Sequence, residues 1–535
     1  MAPGYASLMR TLGLQFAAWT AIAMAALGPE LWTNLHAVPG GRWTDAYNSM
    51  WSMQFAADAL TNGSLPWHAD ALNHPQGGTV LLPDPFGGLF AAFAVPVLGM
   101  AGAYTAWITL QLALSGWVMQ RFATEWLGTE LEAAAAARAG WVAGFAYCSA
   151  PVLLAGAACG TTEAVAGAPP VLAAWAGWRA LQRSGARSTA WAAGALLVAS
   201  VASWYAAVIA AVTVGALTLH ALPTKGVRAL MPLGAGLVLV VPFALWTHGI
   251  HSDAHHLATR DPAILDRIRA GFGAASAMGM VWPIDAADIA IQRPEDAGQG
   301  YLHTGHLGVA LVVAALAGCA GNLRRAAPWL LAGTVCAALA LGPGSEGTRP
   351  YALVDGWPGF RNLSLVWRLA GGASIAVALL AAFATQGNRR LCVALAAAIA
   401  VEWAAFSPTA GGVPVTDATP PAVLSVLAHE PKGAVVTLPA AAAHADLWLH
   451  AHHGQPVTGT INQRRSDPAH QWALSAETAE WAGLQSTAQA EGIRYVLMHQ
   501  SRALRASSDR FLVQQLQQNG RKVGESGRWT AYAVW

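Results

Sequence analysis

Two kinds of side chain in this sequence have the type and spacing for chemistry: carboxylates in polar loops beside long apolar runs, and a cluster of histidines. The first polar loop contains Gly40-Gly-Arg42-Trp-Thr-Asp45-Ala-Tyr-Asn-Ser-Met-Trp51 and, later, Leu82-Pro-Asp84-Pro. Asp45 opens an amphipathic run in which Trp51, Phe55 and Ala59 recur at helical spacing, predicting a helix that lies in a membrane interface. It is either a reactive acid or the cap of that helix, with Thr44 as a competing cap. Asp84, between two prolines, is either a turn residue or a second acid. His248, His251, His255 and His256, with Asp253, form the densest set of potential metal ligands. His251 and His255, four residues apart, would share one helical face and suit a divalent ion. A His-Glu-x-x-His pattern is missing, however, and a solvated patch is the alternative reading. His74, His303 and His306 lie in polar segments as well, His74 in the same loop as Asp45.

The elements that must position these groups are membrane helices. The chain is 55% hydrophobic and only 11% charged, whereas soluble domains carry about 25% charged residues. Apolar segments fall at 12–31, 86–102, 103–121, 141–158, 164–178, 189–203, 205–222, 229–247, 306–321, 328–342, 369–386 and 391–406. The first is read as an uncleaved span rather than a signal peptide, since the polar loop that follows it needs an anchor. Ala and Gly are abundant throughout and permit close helix packing in lipid. The net charge of +2 gives no footprint for nucleic acid. All five cysteines sit in or beside apolar segments without metal-ligand spacing, so they read as small buried hydrophobes. Glu163 and Glu402 stand near segment ends, and the scarcity of acids inside spans argues against a coupled transporter.

Basic residues set the orientation. Clusters occur at Arg121 with Arg138, at Arg179, Arg183 and Arg187, at Lys225 and Arg228, at Arg324 and Arg325, and at Arg389 and Arg390. If every segment crosses, with the N-terminus inside, all of these fall outside, against the positive-inside rule. If 86–102 does not cross, all fall inside together with Arg10. That segment holds Gly87, Gly88, Pro96 and Gly99 and follows Pro85, which suits a re-entrant or interfacial stretch. The expectation is an α-helical polytopic protein of the cytoplasmic membrane, with about 11–13 membrane segments over 1–406 and a cytoplasmic N-terminus. Loops 32–85, 248–305 and 343–368 and the tail 407–535 then lie together on the extracytoplasmic side. The tail reads as a small α/β domain. Strands are predicted at 433–439 and 493–498, helices at 470–490 and 511–518, and a closing strand at 529–535.

An Asp just past the first span, an amphipathic segment, Leu65-Pro-Trp-His68 and Asn73-His-Pro-Gln-Gly-Gly78 before the second span together resemble the GT-C superfamily of polytopic glycosyltransferases. The nearer resemblance is to its bacterial branch, related to polyprenyl-phosphate-sugar mannosyltransferase-like proteins. Leu302-His-Thr-Gly-His-Leu307 and Gly356-Trp-Pro-Gly-Phe-Arg361, followed by Trp367-Arg368, agree with it. The resemblance implies inverting transfer of a sugar from a polyprenyl-phosphate donor to a glycan, lipid or protein acceptor at the extracytoplasmic face. Asp45 would take the proton of the attacking hydroxyl, and Arg361, Arg368 and Arg42 would meet the leaving phosphate. The bland reading of the arginines is snorkelling, or contact with ordinary lipid headgroups. Members of the superfamily differ in needing a divalent ion, so the resemblance leaves a divalent metal open as a cofactor. Two other functions fit the composition: a transporter or flippase of a lipid-linked saccharide, for which paired interrupted segments would be expected, and a noncatalytic scaffold that binds envelope glycan.

Overall fold

The computed structural model describes residues 3–34, 36–40, 45–82, 84–183, 185–251, 306–343, 349–357, 360, 363, 365–406, 412–439, 453–459, 466–500 and 507–535, and the statements below concern these. Helix α1 (Pro3–Leu27) and the short α2 (Glu30–Thr33) lead to strand β1 (Ala37–Pro39) and helix α3 (Ala46–Thr61). A bundle follows: α4 (Pro85–Leu127), α5 (Ala133–Cys148), α6 (Pro151–Ala158), the one-turn α7 (Thr162–Val165), α8 (Ala168–Arg183), α9 (Ala186–Ala202), α10 (Trp204–Lys225) and α11 (Met231–His251). It is completed by α12 (Val309–Gly321), α13 (Leu323–Ala340), α14 (Ala370–Ala384) and α15 (Arg389–Phe406). Among the described residues four helical runs are long and apolar enough to cross a membrane: Pro85–Leu127, Ala133–Ala158, Trp204–Ile250 and Val366–Ala384.

Small residues let these helices close on large side chains. Trp19 of α1 is fully buried between Gly116 of α4 and Gly144 of α5; a Cβ at either glycine would stand 2.6 Å from its ring. The indole also donates to Gln120 Oε1 at 2.7 Å and stacks on Trp141. Gly144→Val is therefore expected to destabilise the bundle by about 1–3 kcal/mol through overpacking. Thermal unfolding in detergent measures this, and an unchanged midpoint would contradict the packing described.

Helix α4 bends at Gly99, whose φ of 67° and ψ of 172° are not helical, three residues after Pro96. The section before the bend exposes Leu89, Phe93 and Val97 along one stripe. At the far end of the bundle the basic clusters converge. Arg179 pairs with Glu125, Arg325 with Glu130, Arg138 Nε donates to Gly387 O at 2.8 Å, and Lys225 donates to Leu181 O. The expected interfacial helix is more deeply packed than its amphipathic pattern suggests. Trp51 is 4% exposed, and α3 buries nine residues, with Ala56 seated against Gly88 of α4.

The tail contains a four-stranded sheet in the order β3-β4-β6-β5, built from β3 (Ala434–Leu438), β4 (Ile493–His499), β5 (Arg521–Ser526) and β6 (Trp529–Ala533). β3 runs parallel to β4, and the other pairs are antiparallel. Alternation along β4 divides its two faces. Val496 and Met498 pack under α16 (Asp467–Ser475), α17 (Trp481–Ala490) and α18 (Ser507–Asn519), while Tyr495 and Leu497 join the core that continues into the bundle. The single helix expected over 470–490 is two helices. The break lets Trp472 and Leu484 both reach the sheet, and the Trp472 indole donates to Leu484 O at 3.0 Å. β5 was not foreseen, because its polar edge-strand sequence carries no apolar alternation. A second pairing, β1 with β2 (Val415–Asp417), stitches the first loop to the start of the tail, extended by Gly40 N to Pro414 O at 2.8 Å.

Candidate functional site

Asp45 is held from both sides of its chain. Upstream, β1 is fixed by β2 and by α4, where the Tyr104 and Thr105 hydroxyls donate to Pro39 O and Ala37 O. Downstream, α3 is locked to the turn that follows α6: Asp45 N donates to Cys159 O at 3.1 Å and Ser49 Oγ to Gly160 O at 3.0 Å. Gly160 has φ +71°, and a Cβ there would lie 2.8 Å from the Ala46 backbone. Only glycine satisfies both conditions. Gly160→Ala is expected to destabilise the protein by about 1–3 kcal/mol and to displace Asp45. A variant as stable and as active as the parent would contradict that constraint.

Asp45 occupies the position before α3, yet its carboxylate makes no capping hydrogen bond. Among the described residues it accepts one long bond, from Asn48 Nδ2 at 3.4 Å. The first turn of α3 is thus held by the Cys159–Gly160 turn, and the carboxylate is left with acceptor capacity.

Arg368 approaches the same place from a 3-10 turn, Val366–Leu369, that opens α14. Its side chain is 6% exposed and donates through Nη1 to Glu163 Oε1 at 3.0 Å. The guanidinium lies over the Tyr205 ring, 5.1 Å from its centroid, while Tyr205 Oη accepts from Leu365 N at 2.7 Å. Arg368 Nε is buried without a hydrogen-bond partner. Asp45 is close enough to exert a field on Glu163, Arg368, Cys159 and Tyr104. Burial raises the Glu163 carboxyl above the usual carboxylate range, against the opposing pull of Arg368. Arg368 and Glu163 form a buried ion pair with an unused donor on the cation, and Asp45, with unused acceptors, lies within electrostatic reach of both.

Glu163 is the member that motif reading missed. It is the only acid between Glu132 and Asp253, and that isolation was the available signal. Asp84 is elsewhere occupied. It is 6% exposed, caps α4 through Gly87 N, and accepts from Trp107 Nε1 at 2.6 Å and Gln111 Nε2 at 3.2 Å. Gln111 also donates to Thr162 O at 3.0 Å, so Asp84 braces the segment that carries Glu163. His74 lies against the tail: its backbone N donates to Val457 O at 3.1 Å, and its ring stands beside Glu491 and Gly492. Burial lowers its pKa, against the opposing pull of Glu491. His306 pairs with Glu402 at 3.3 Å, and Glu402 also receives the first amides of α12. Arg42, Arg361, His303 and His255 lie outside the described residues, as does the His251 side chain.

Among the described residues no group of three or more His, Cys, Asp or Glu is placed to hold a metal ion. All five cysteines are buried and free.

No family model and no curated protein matches the chain by sequence. Solved structures do match it in fold. The mycobacterial arabinofuranosyltransferase AftD superposes with a TM-score of 0.56 at 16% identity, over 98% of this chain and 41% of that one. The Archaeoglobus fulgidus oligosaccharyltransferase AglB, solved with an inhibitory peptide and a dolichol-phosphate, superposes with a TM-score of 0.50 at 14% identity, over 91% of this chain and 69% of that one.

Proposed function

We propose that this protein is a membrane glycosyltransferase that moves a sugar from a polyprenyl-phosphate donor onto an acceptor hydroxyl, with inversion, using Asp45 as general base. The observation that carries the reading is an uncapped Asp45 carboxylate within electrostatic reach of a buried Arg368 that has a spare Nε donor. In the reaction the acceptor oxygen attacks the anomeric carbon from the side opposite the phosphate. Asp45 takes the hydroxyl proton, and the bond from the anomeric carbon to the phosphate oxygen breaks with its electron pair on oxygen. Arg368 meets the charge that develops there, and a preorganised cation in a sheltered site needs little reorganisation to do so. Glu163 positions Arg368. Two glycosyltransferases share the fold, one of them solved with a dolichol-phosphate, which supports the donor class.

The orientation follows from charge. The converging cations Arg138, Arg179, Arg325 and Lys225 mark the cytoplasmic end. Arg138 near the start of α5 and Cys159 just past α6 are about 20 residues apart, roughly 30 Å along the two helices, which supports a position for Asp45 on the opposite side of the bilayer. The section of α4 before Gly99 does not cross.

The test supplies purified protein with a synthetic polyprenyl-phosphate sugar and an envelope extract as acceptor pool, and follows free polyprenyl phosphate by mass spectrometry. Release by the wild type is expected. Movement of the intact donor across proteoliposomes, without release, would support the flippase instead.

A further inference from the structure

The end of the bundle remote from Asp45 contains a cavity of about 580 Å³, within the range of ligand sites. Three cations line it, Lys225, Arg324 and Arg325, against a single carboxylate, Glu130. Arg325 is largely committed: it pairs with Glu130, donates to Trp126 O and Thr129, and lies over the Trp126 ring. Lys225 donates to Leu181 O. Arg324 is exposed and has no acid partner among the described residues.

Two buried donors in the same wall have no hydrogen-bond partner, Arg325 Nε and Trp329 Nε1. They are four residues apart on α13, hence neighbours on one helix face. Trp329 is 1% exposed and the Arg325 side chain 11%. An unsatisfied buried donor costs about 1–3 kcal/mol, so an acceptor belongs here, and the surplus of cations makes it an anionic one. Trp126, Trp178 and Trp329 all line the cavity, and indoles favour the headgroup level of a bilayer.

We infer that this cavity binds a phosphate-bearing anion, held by Arg325 Nε and Trp329 Nε1 and neutralised by Arg324 and Lys225. The same chemistry is offered by an anionic lipid headgroup and by free phosphate. The site is separate from the Asp45 site and independent of the transferase reading.

Native mass spectrometry of the full chain in detergent tests this, with phosphatidylglycerol, phosphatidylcholine and inorganic phosphate as probes and Arg324→Gln and Trp329→Phe as variants. Phosphatidylglycerol is expected to bind more tightly than phosphatidylcholine. Arg324→Gln should raise its Kd roughly fivefold, the effect of about 1 kcal/mol per basic residue at an anionic surface, and Trp329→Phe should raise it several-fold. Competition by inorganic phosphate would show that the phosphate group alone suffices, and its failure to compete would assign the site to lipid; both support the inference. Equal affinity of wild type and variants, or equal binding of the two lipids, would overturn it. Should Trp329→Phe fail to fold, the exposed Arg324 decides alone.

Discussion

Asp45→Asn is expected to lower sugar transfer by about 10²–10⁴-fold, the usual contribution of a general base, with the fold intact. The substitution keeps shape and removes the charge. It breaks no capping bond, because the carboxylate makes none, and the backbone ties from Asp45 N to Cys159 O and from Ser49 N to Asp45 O are untouched. The thermal midpoint should therefore stay close to that of the parent while free polyprenyl phosphate no longer accumulates. An active Asp45→Asn variant would remove the base assignment. Loss of activity together with loss of the midpoint would make Asp45 a structural residue, and the noncatalytic scaffold would then become the better account.

The second large effect belongs to Arg368. Arg368→Met should destabilise the protein by about 3–5 kcal/mol, because it leaves Glu163 buried without its counter-charge. The loss comes mainly from the abandoned partner, so adding Glu163→Gln to Arg368→Met should recover much of the stability while transfer stays absent. The cycle of two single variants and the double variant, read by unfolding in detergent, isolates the coupling. Additive losses would show that the pair does not act as a unit. Recovery of both stability and transfer would deny Arg368 any part in the reaction.

How much of this was legible beforehand depends on the range of each interaction. Apolar helices declare themselves through runs of local hydropathy, and the strands at Ala434–Leu438 and Ile493–His499 through short apolar stretches, so the helices and these two strands were readable. Asp45 stood out because it comes soon after the first apolar run and opens an amphipathic segment, in a loop whose motifs carry the family resemblance. The Arg368–Glu163 pair did not, since its members are separated by 205 residues and meet only through their side chains in the folded chain. Asp84 looked like a turn residue between prolines, and its cluster of donors from α4 could not be read from spacing. The amphipathic pattern of α3 gave the helix but not its burial, because the residue that admits it, Gly88, lies on another helix. The pairing of β1 with β2 joins three-residue strands too short to carry a pattern.

The most direct measurement is an experimental density map of the protein bound to a polyprenyl phosphate. The account predicts the phosphate within hydrogen-bond reach of Arg368 Nε, with the Asp45 carboxylate facing the same space across the site of the anomeric carbon. A phosphate bound elsewhere, with Asp45 turned to cap α3 and Arg368 sealed off by Glu163, would contradict it.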